Sequence, residues 1–503
     1  MTEGAVEDCI YFGNTRLEAA LTGSQDGCLH GWRHASQRAS QGGILPPVDT
    51  LFHHTPWRTH NQFWLFNRSS FWSNLAHTFQ MKSMTSRERL ATTLNHQPTD
   101  RPCVDFGAGF QTGMGAGAVH RLRQALLGPS SHRVKVIESY QMLGEIDEEL
   151  RQALGLDVVG VHGPGTMFGF KNEGWKPFTM FDGTPVLVPE KFNVTPAPDG
   201  GWLMHPEGDT GAPASAWMPK DGCFFDAVNR QQPLDESKLN PADNCEEMGV
   251  VGEEEVRHFA RLAKHYYETT RYGIYLTLPG TAFGDIALVP APWMKNPKGI
   301  RGVPEWYMAT VTNRDYVMKV FEVQCQAALK SIEKLAGAVG DRAQVVFVSG
   351  TDFGTQTGQF CSVPTYRELY QPFHKAVNDR IHKLTKWKTF IHSCGSVYPF
   401  IPEFIAAGFD VLNPVQCSAT GMDPRRLKRE FGPDIVFWGG GVDTQKTLPF
   451  GTPDEVYREV RERIEIFSEG GGFVFNSIHN VQSNVPTENL LAMFRAVKDH
   501  MKS

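Results

Sequence analysis

Residues 389–395 read Thr-Phe-Ile-His-Ser-Cys-Gly, a short apolar run that ends in His-x-Cys and then glycine. If Phe390 to His392 close a β-strand, side chains two apart point the same way, so His392 and Cys394 project together at a strand end. Imidazole and thiolate together suit Zn²⁺. Two donors do not complete a site, and the rest of the chain must supply at least one more. His479, Cys417, Asp443 and Asp352 are the candidates. Asp443 follows three glycines, a setting in which a carboxylate also shapes a turn. Asp352 is equally suited to capping a local turn, and Cys417 to packing as a buried thiol. His479 is the hardest to explain structurally, because its loop (residues 477–483) is polar and has no apolar face.

These groups need a scaffold. A start at Met84 is followed by Thr85 and Glu88 at capping-box spacing. From there strand and helix signals alternate. Apolar strands are expected over residues 102–107, 157–162, 273–278, 343–349, 389–392, 409–412, 435–438 and 472–476. Helices are expected over 140–154, 254–270, 317–335, 365–384, 397–407, 424–432, 453–468 and 488–498. Pro372 predicts a kink in the helix over 365–384. Thr452-Pro453-Asp454-Glu455 is a second capping box, with proline in the first turn. Residues 165–250 break the alternation with short β-like runs between Gly, Pro and Asp turns, and predict an inserted β-meander.

Repeated strand–helix units with apolar strands mean a parallel sheet covered by helices. Their number favours an α/β fold of the (β/α)₈ barrel type, the TIM barrel, over residues 84–503. No GxGxxG follows a strand, which disfavours a dinucleotide fold. Barrel active sites lie at the C-terminal strand ends. Those ends carry His162, Thr277, Asp352, His392 with Cys394, Asn413 with Gln416, Asp443, and Asn476 with His479.

The bulk numbers narrow the class. A net charge of −6 without basic blocks argues against nucleic acid as the main partner and leaves a small-molecule substrate. Nine scattered cysteines without a CxxC pair read as a reduced, cytoplasmic protein. No apolar run approaches the roughly 20 residues that span a bilayer. Residues 1–83 show no sustained period and read as a poorly ordered extension; Glu3, Glu7 and Asp8 oppose a signal peptide.

From Met84 onward the chain resembles the uroporphyrinogen decarboxylase superfamily. The resemblance rests on Thr85-Ser86-Arg87-Glu88-Arg89 with Asp100-Arg101-Pro102, His392-Ser393-Cys394-Gly395, Asn413-Pro414-Val415-Gln416, Gly440-Gly441-Val442-Asp443 and Gly471-Gly472-Phe473-Val474. It implies a barrel. It also implies either cofactor-free decarboxylation or the zinc-dependent methyl transfer that the superfamily carries out with corrinoid proteins. The true decarboxylase has an Arg-Gln-Ala-Gly-Arg stretch that binds substrate carboxylates. The matching residues 104–109 have no arginine, so the basic cradle is missing.

The methyltransferase branch has His-x-Cys-Gly after one strand and a third ligand, Cys, after the last. His392 and Cys394 match, and His479 aligns where that Cys would be. Imidazole in place of thiolate makes such a site less anionic and a bound thiol more acidic. The branch's carboxylate ligand near Leu278 has no direct counterpart, and Asp352 is the nearest substitute. The resemblance therefore implies Zn²⁺ on His392, Cys394 and His479, with Asp352, Asp443 and Asn413 orienting the substrate. The methyl partner would be cobalamin on a separate corrinoid protein, and the 165–250 insert would rim the mouth. The alternative is metal-free decarboxylation of a tetrapyrrole through Asp105 or Asp157, with Arg101 and Arg301 as the arginines. A degenerate barrel acting only as a binding subunit would show His392, Cys394 and His479 far apart.

Overall fold

The computed structural model describes residues 83–501. The expected N-terminal extension lies outside the described residues apart from Ser83. Eight strands form one sheet: β1 Cys103–Val104, β2 Val158–Val161, β3 Gly273–Thr277, β4 Val345–Ser349, β5 Lys388–His392, β6 Val411–Asn413, β7 Val436–Trp438 and β8 Phe473–Phe475. Every neighbouring pair is parallel, and the spatial order is β1-β8-β7-β6-β5-β4-β3-β2. The seam between β1 and β2 is joined through Asp157. Its amide donates to the Val104 carbonyl at 2.8 Å, and the Val104 amide donates to its Oδ2 at 2.9 Å. A carboxylate there stands in for a ladder carbonyl, because β1 is only two residues long.

Strand periodicity divides the apolar residues between two cores. Cys103, Val158, Tyr275, Phe390, Trp438 and Val474 point inward and fill the barrel, a packed interior rather than a pore. Val104, Val159, Ile274, Ile391 and Phe437 point outward against the helices. The helix Ser86–Leu94 starts at the Thr85/Glu88 capping box and seats Leu90 and Leu94 in the inner cluster, so it closes the N-terminal end. The second capping box, Thr452 with Glu455, opens the helix Pro453–Ser468 as expected. The helix expected over 365–384 is broken into Val363–Leu369 and Gln371–Leu384, with Pro372 in the first turn of the second piece.

Between β2 and the helix Glu253–Thr269 lies the insert. Strands Val194–Pro196, Trp202–Met204, Ala216–Met218 and Asp226–Ala227 form an antiparallel meander. A second small sheet joins Lys176–Thr179 and Pro185–Val188 to Val134–Glu138, a strand that precedes β2. This corrects the helix expected over 140–154, which begins only at Glu148, capped by Asp147. Upstream, the Glu138 carboxylate accepts the amides of Tyr140 and Gln141 at 2.9 and 2.6 Å and turns the chain into the strand Leu143–Gly144. The side chain offers the backbone a partner that a helix would not use. Among the described residues no helix is long and apolar enough to cross a membrane.

Candidate metal centre

The end of β5 builds the site. His392 is its last residue and Cys394 follows two positions on, with exposures of 6% and 7%. Between strand and loop the chain is held tightly. The Cys394 amide donates to Asp352 Oδ1 at 2.7 Å, and the Gly395 amide donates to Gln416 Oε1 at 2.7 Å. Gly395 has φ +86°, and a Cβ there would collide with the Gly354 carbonyl, so this turn of the His-x-Cys-Gly motif takes only glycine.

Asn413, at the end of β6, sets the imidazole. Its Nδ2 donates to the Trp438 carbonyl at 2.8 Å, which leaves its Oδ1 as acceptor for His392 Nδ1–H at 2.6 Å. The hydrogen is thereby held on Nδ1, and Nε2 keeps its lone pair. Nε2 faces the Cys394 sulfur at 3.3 Å. The loop after β8 brings the third group. Its ring centroid lies 5.5 Å from that of His392. The loop is fixed on both sides of His479: Ser477 Oγ donates to the His479 carbonyl at 2.6 Å, and Asn480 Oδ1 accepts the Gly113 amide at 2.6 Å.

The ligand atoms of His392, Cys394 and His479 all lie within 4.8 Å of one another. Zinc bonds of about 2.0–2.3 Å in a tetrahedron put donors roughly 3.3–3.8 Å apart, so a small contraction closes the set. Two nitrogens and one sulfur with a fourth position left over is the donor pattern of an open zinc site. Electrostatics agree. Burial pushes both imidazoles down, His479 to about 3 with His392 adding to the effect, so each ring is a neutral ligand.

Two carboxyls stand beside these donors. Asp352 is half-buried, hydrogen-bonds the Cys394 side chain as well as its amide, and is pushed up to about 6 by burial. Asp285 is also pushed up to about 6, first by burial and further by Asp352, with the opposite influence from His392. Sequence reasoning missed Asp285. It stands on the loop after β3, eight residues beyond Thr277, where no period carries. The only available sign was a carboxylate downstream of a barrel strand that already needed one.

Asp443 and Cys417 are not brought into the group of three. Asp443 Oδ1 accepts the amides of Gln445 and Lys446 at 2.7 and 3.0 Å, so this oxygen shapes the turn after β7. Cys417 is pushed up to about 12 by burial and behaves as a packed thiol. The arginines on which tetrapyrrole decarboxylation would depend are engaged elsewhere. Arg101 grips Asp157 at the opposite end of the barrel, and Arg301 grips Glu247.

Residues 286–500 match the family described as uroporphyrinogen decarboxylase (URO-D). The chain is also similar to methylated-thiol–coenzyme M methyltransferase of Methanosarcina mazei, at 28% identity over 167 residues, which is 33% of this chain. That alignment spans 40% of the relative's length. Among solved structures, a methyltransferase from Methanosarcina mazei superposes with a TM-score of 0.47 at 14% identity, covering 83% of this chain and 99% of that one. A GH113 β-1,4-mannanase superposes at 0.25 and 12% identity, covering 49% and 79%. Residues 286–500 are thus similar to the uroporphyrinogen decarboxylase (URO-D) family, in a chain whose sequence also resembles a methyltransferase.

Proposed function

We propose that the chain is a zinc-dependent methyltransferase-like enzyme that moves a methyl group between a small methylated substrate and a corrinoid protein or thiol. The observation that carries this is the convergence of His392, Cys394 and His479, drawn from two different strand ends, at ligand distance. Zinc held there would supply a Lewis acid toward a thiol, hydroxyl or methoxy group, or toward the heteroatom lone pair that a departing methyl group leaves behind.

The chain's own groups do the rest. Asn413 holds the proton of His392 on Nδ1 and so presents Nε2. Asp352 fixes the Cys394 amide and is the carboxylate placed to take the thiol proton when Cys394 becomes a thiolate ligand. Asp285, on the loop after β3, interacts electrostatically with Asp352 and His392. The corrinoid would be carried by a separate protein.

The test is metal analysis of the full chain, wild type against Cys394→Ser, followed by incubation with methylcobalamin and a small thiol as methyl acceptor, read as loss of methylcobalamin absorbance. Zinc in the wild type, lost in the variant together with demethylation, upholds the reading. A metal-free wild type, or demethylation that survives Cys394→Ser, removes it.

A further inference from the structure

Beside the barrel mouth a cavity of about 420 Å³ opens between the loop after β3 and the helix Arg314–Val339. Trp293, Trp306 and Phe321 form aromatic walls. The ionisable groups on the lining are Asp285, Glu255, Glu247 and Arg301.

Arg301 is not available to a ligand. Its side chain is 2% exposed, and its Nη1 and Nη2 donate to the Glu247 carboxylate at 2.7 and 3.1 Å. Nη2 also donates to the Asp243 carbonyl at 3.0 Å, and Nε donates to the Lys298 carbonyl at 2.6 Å. Arg301 and Glu247 therefore neutralise each other. The remaining charge on the lining is negative, from Glu255 and Asp285. Glu255 is half-buried, and among the described residues no hydrogen bond or ion pair is formed by its carboxylate. Asp285 belongs to both places: it lines the cavity, and its Oδ2 lies against Gly350, two residues before the Asp352 that accepts the Cys394 amide.

Aromatic faces beside uncompensated carboxylates, without a free cation, suit a weakly hydrated organic cation. They oppose a sulfonate or carboxylate, which would be buried against like charge. We propose that this cavity receives the methyl-bearing substrate and that the substrate is a methylated onium ion, an ammonium or a sulfonium. This rests on the methyl-transfer reading and specifies its substrate. The carbon–nitrogen or carbon–sulfur bond breaks with its electron pair left on nitrogen or sulfur. The methyl group passes to the reduced corrinoid of the partner protein, which supplies the electron pair of the new bond. The immediate product is an uncharged amine or thioether; the thioether stays neutral and is no longer held by the carboxylates, whereas an amine takes up a proton from water.

Calorimetric titration of the full chain with tetramethylammonium, trimethylsulfonium and methanesulfonate tests this in wild type, Trp293→Ala, Glu255→Gln and Cys394→Ser. At least one cation binds the wild type, and whichever binds tighter names the onium atom. Its affinity falls about tenfold or more in Trp293→Ala and in Glu255→Gln, and does not fall in Cys394→Ser. Methanesulfonate binding tighter than both cations, or cation binding indifferent to both cavity substitutions, overturns the proposal. Zinc and methyl transfer in a protein that binds neither cation would also overturn it while leaving the methyl-transfer reading intact. Cation binding in a wild type that holds no zinc would uphold the cavity and remove the methyl-transfer reading instead.

Discussion

The two ends of the barrel each bury a polar cluster, and the clusters are built on opposite plans. At the N-terminal end Asp157 is 0% exposed and accepts from Arg89, Arg101 and the Val104 amide at 2.6–2.9 Å. Asp100 takes the other side of Arg89 at 2.7 and 2.8 Å. Each carboxylate there faces a guanidinium. At the C-terminal end Asp285 and Asp352 are both pushed up to about 6, and the imidazoles of His392 and His479 are held neutral. A cluster matched in charge seals a fold. A cluster of neutral imidazoles beside carboxyls raised by burial is the arrangement expected of a functional site.

The sharpest break in that contrast is Cys394→Ser. The expected result by metal analysis is loss of zinc from about one per chain to none, with an unchanged urea midpoint for the metal-free protein. Asp157→Ala should do the reverse. It leaves Arg89 and Arg101 buried without their shared partner and opens the β1–β2 seam, at a cost of about 3–5 kcal/mol in urea unfolding. Zinc content per folded chain should stay the same. Asn413→Ala keeps all three ligands but frees the His392 ring. Zinc affinity, measured by competition with a chelator, should drop about 10–100-fold.

The smallest effect separates burial from metal binding. His374 is fully buried among Phe283, Phe353, Tyr366 and Phe409, away from the three ligands, and burial pushes it down to about 3. The unfolded chain binds its proton near 6.5 and the folded chain only near 3. Its contribution to stability is therefore present above about 6.5 and is lost as pH falls toward 3. His374→Phe should make the melting temperature fall less steeply across that window. An unchanged slope would mean that the acid sensitivity comes from other groups.

Much of the scaffold was legible because its signals are local. The capping boxes at Thr85 and Thr452, the kink before Pro372 and the apolar strands all read directly from neighbours one to four positions apart. The same short reach made His392 and Cys394 visible as a pair. It misled at residues 140–147, where the Glu138 carboxylate turns the chain and helps build a strand. At Asp443 it showed a carboxylate near a strand end but not that one of its oxygens holds two amides of its own loop. Asp285 stayed hidden because its loop has no period.

The sequence by itself determined most of the strand–helix order, the inward and outward faces of the strands, and the pairing of His392 with Cys394 at a strand end. These follow from alternation, capping and backbone sterics, which act over a few residues. Tertiary structure alone decided which other groups meet that pair. His479 arrives 85 residues after Cys394, and Asp285 precedes it by 109. Their approach depends on how eight parallel strands curve until Asp157 joins the seam, and that closure is a property of the whole sheet.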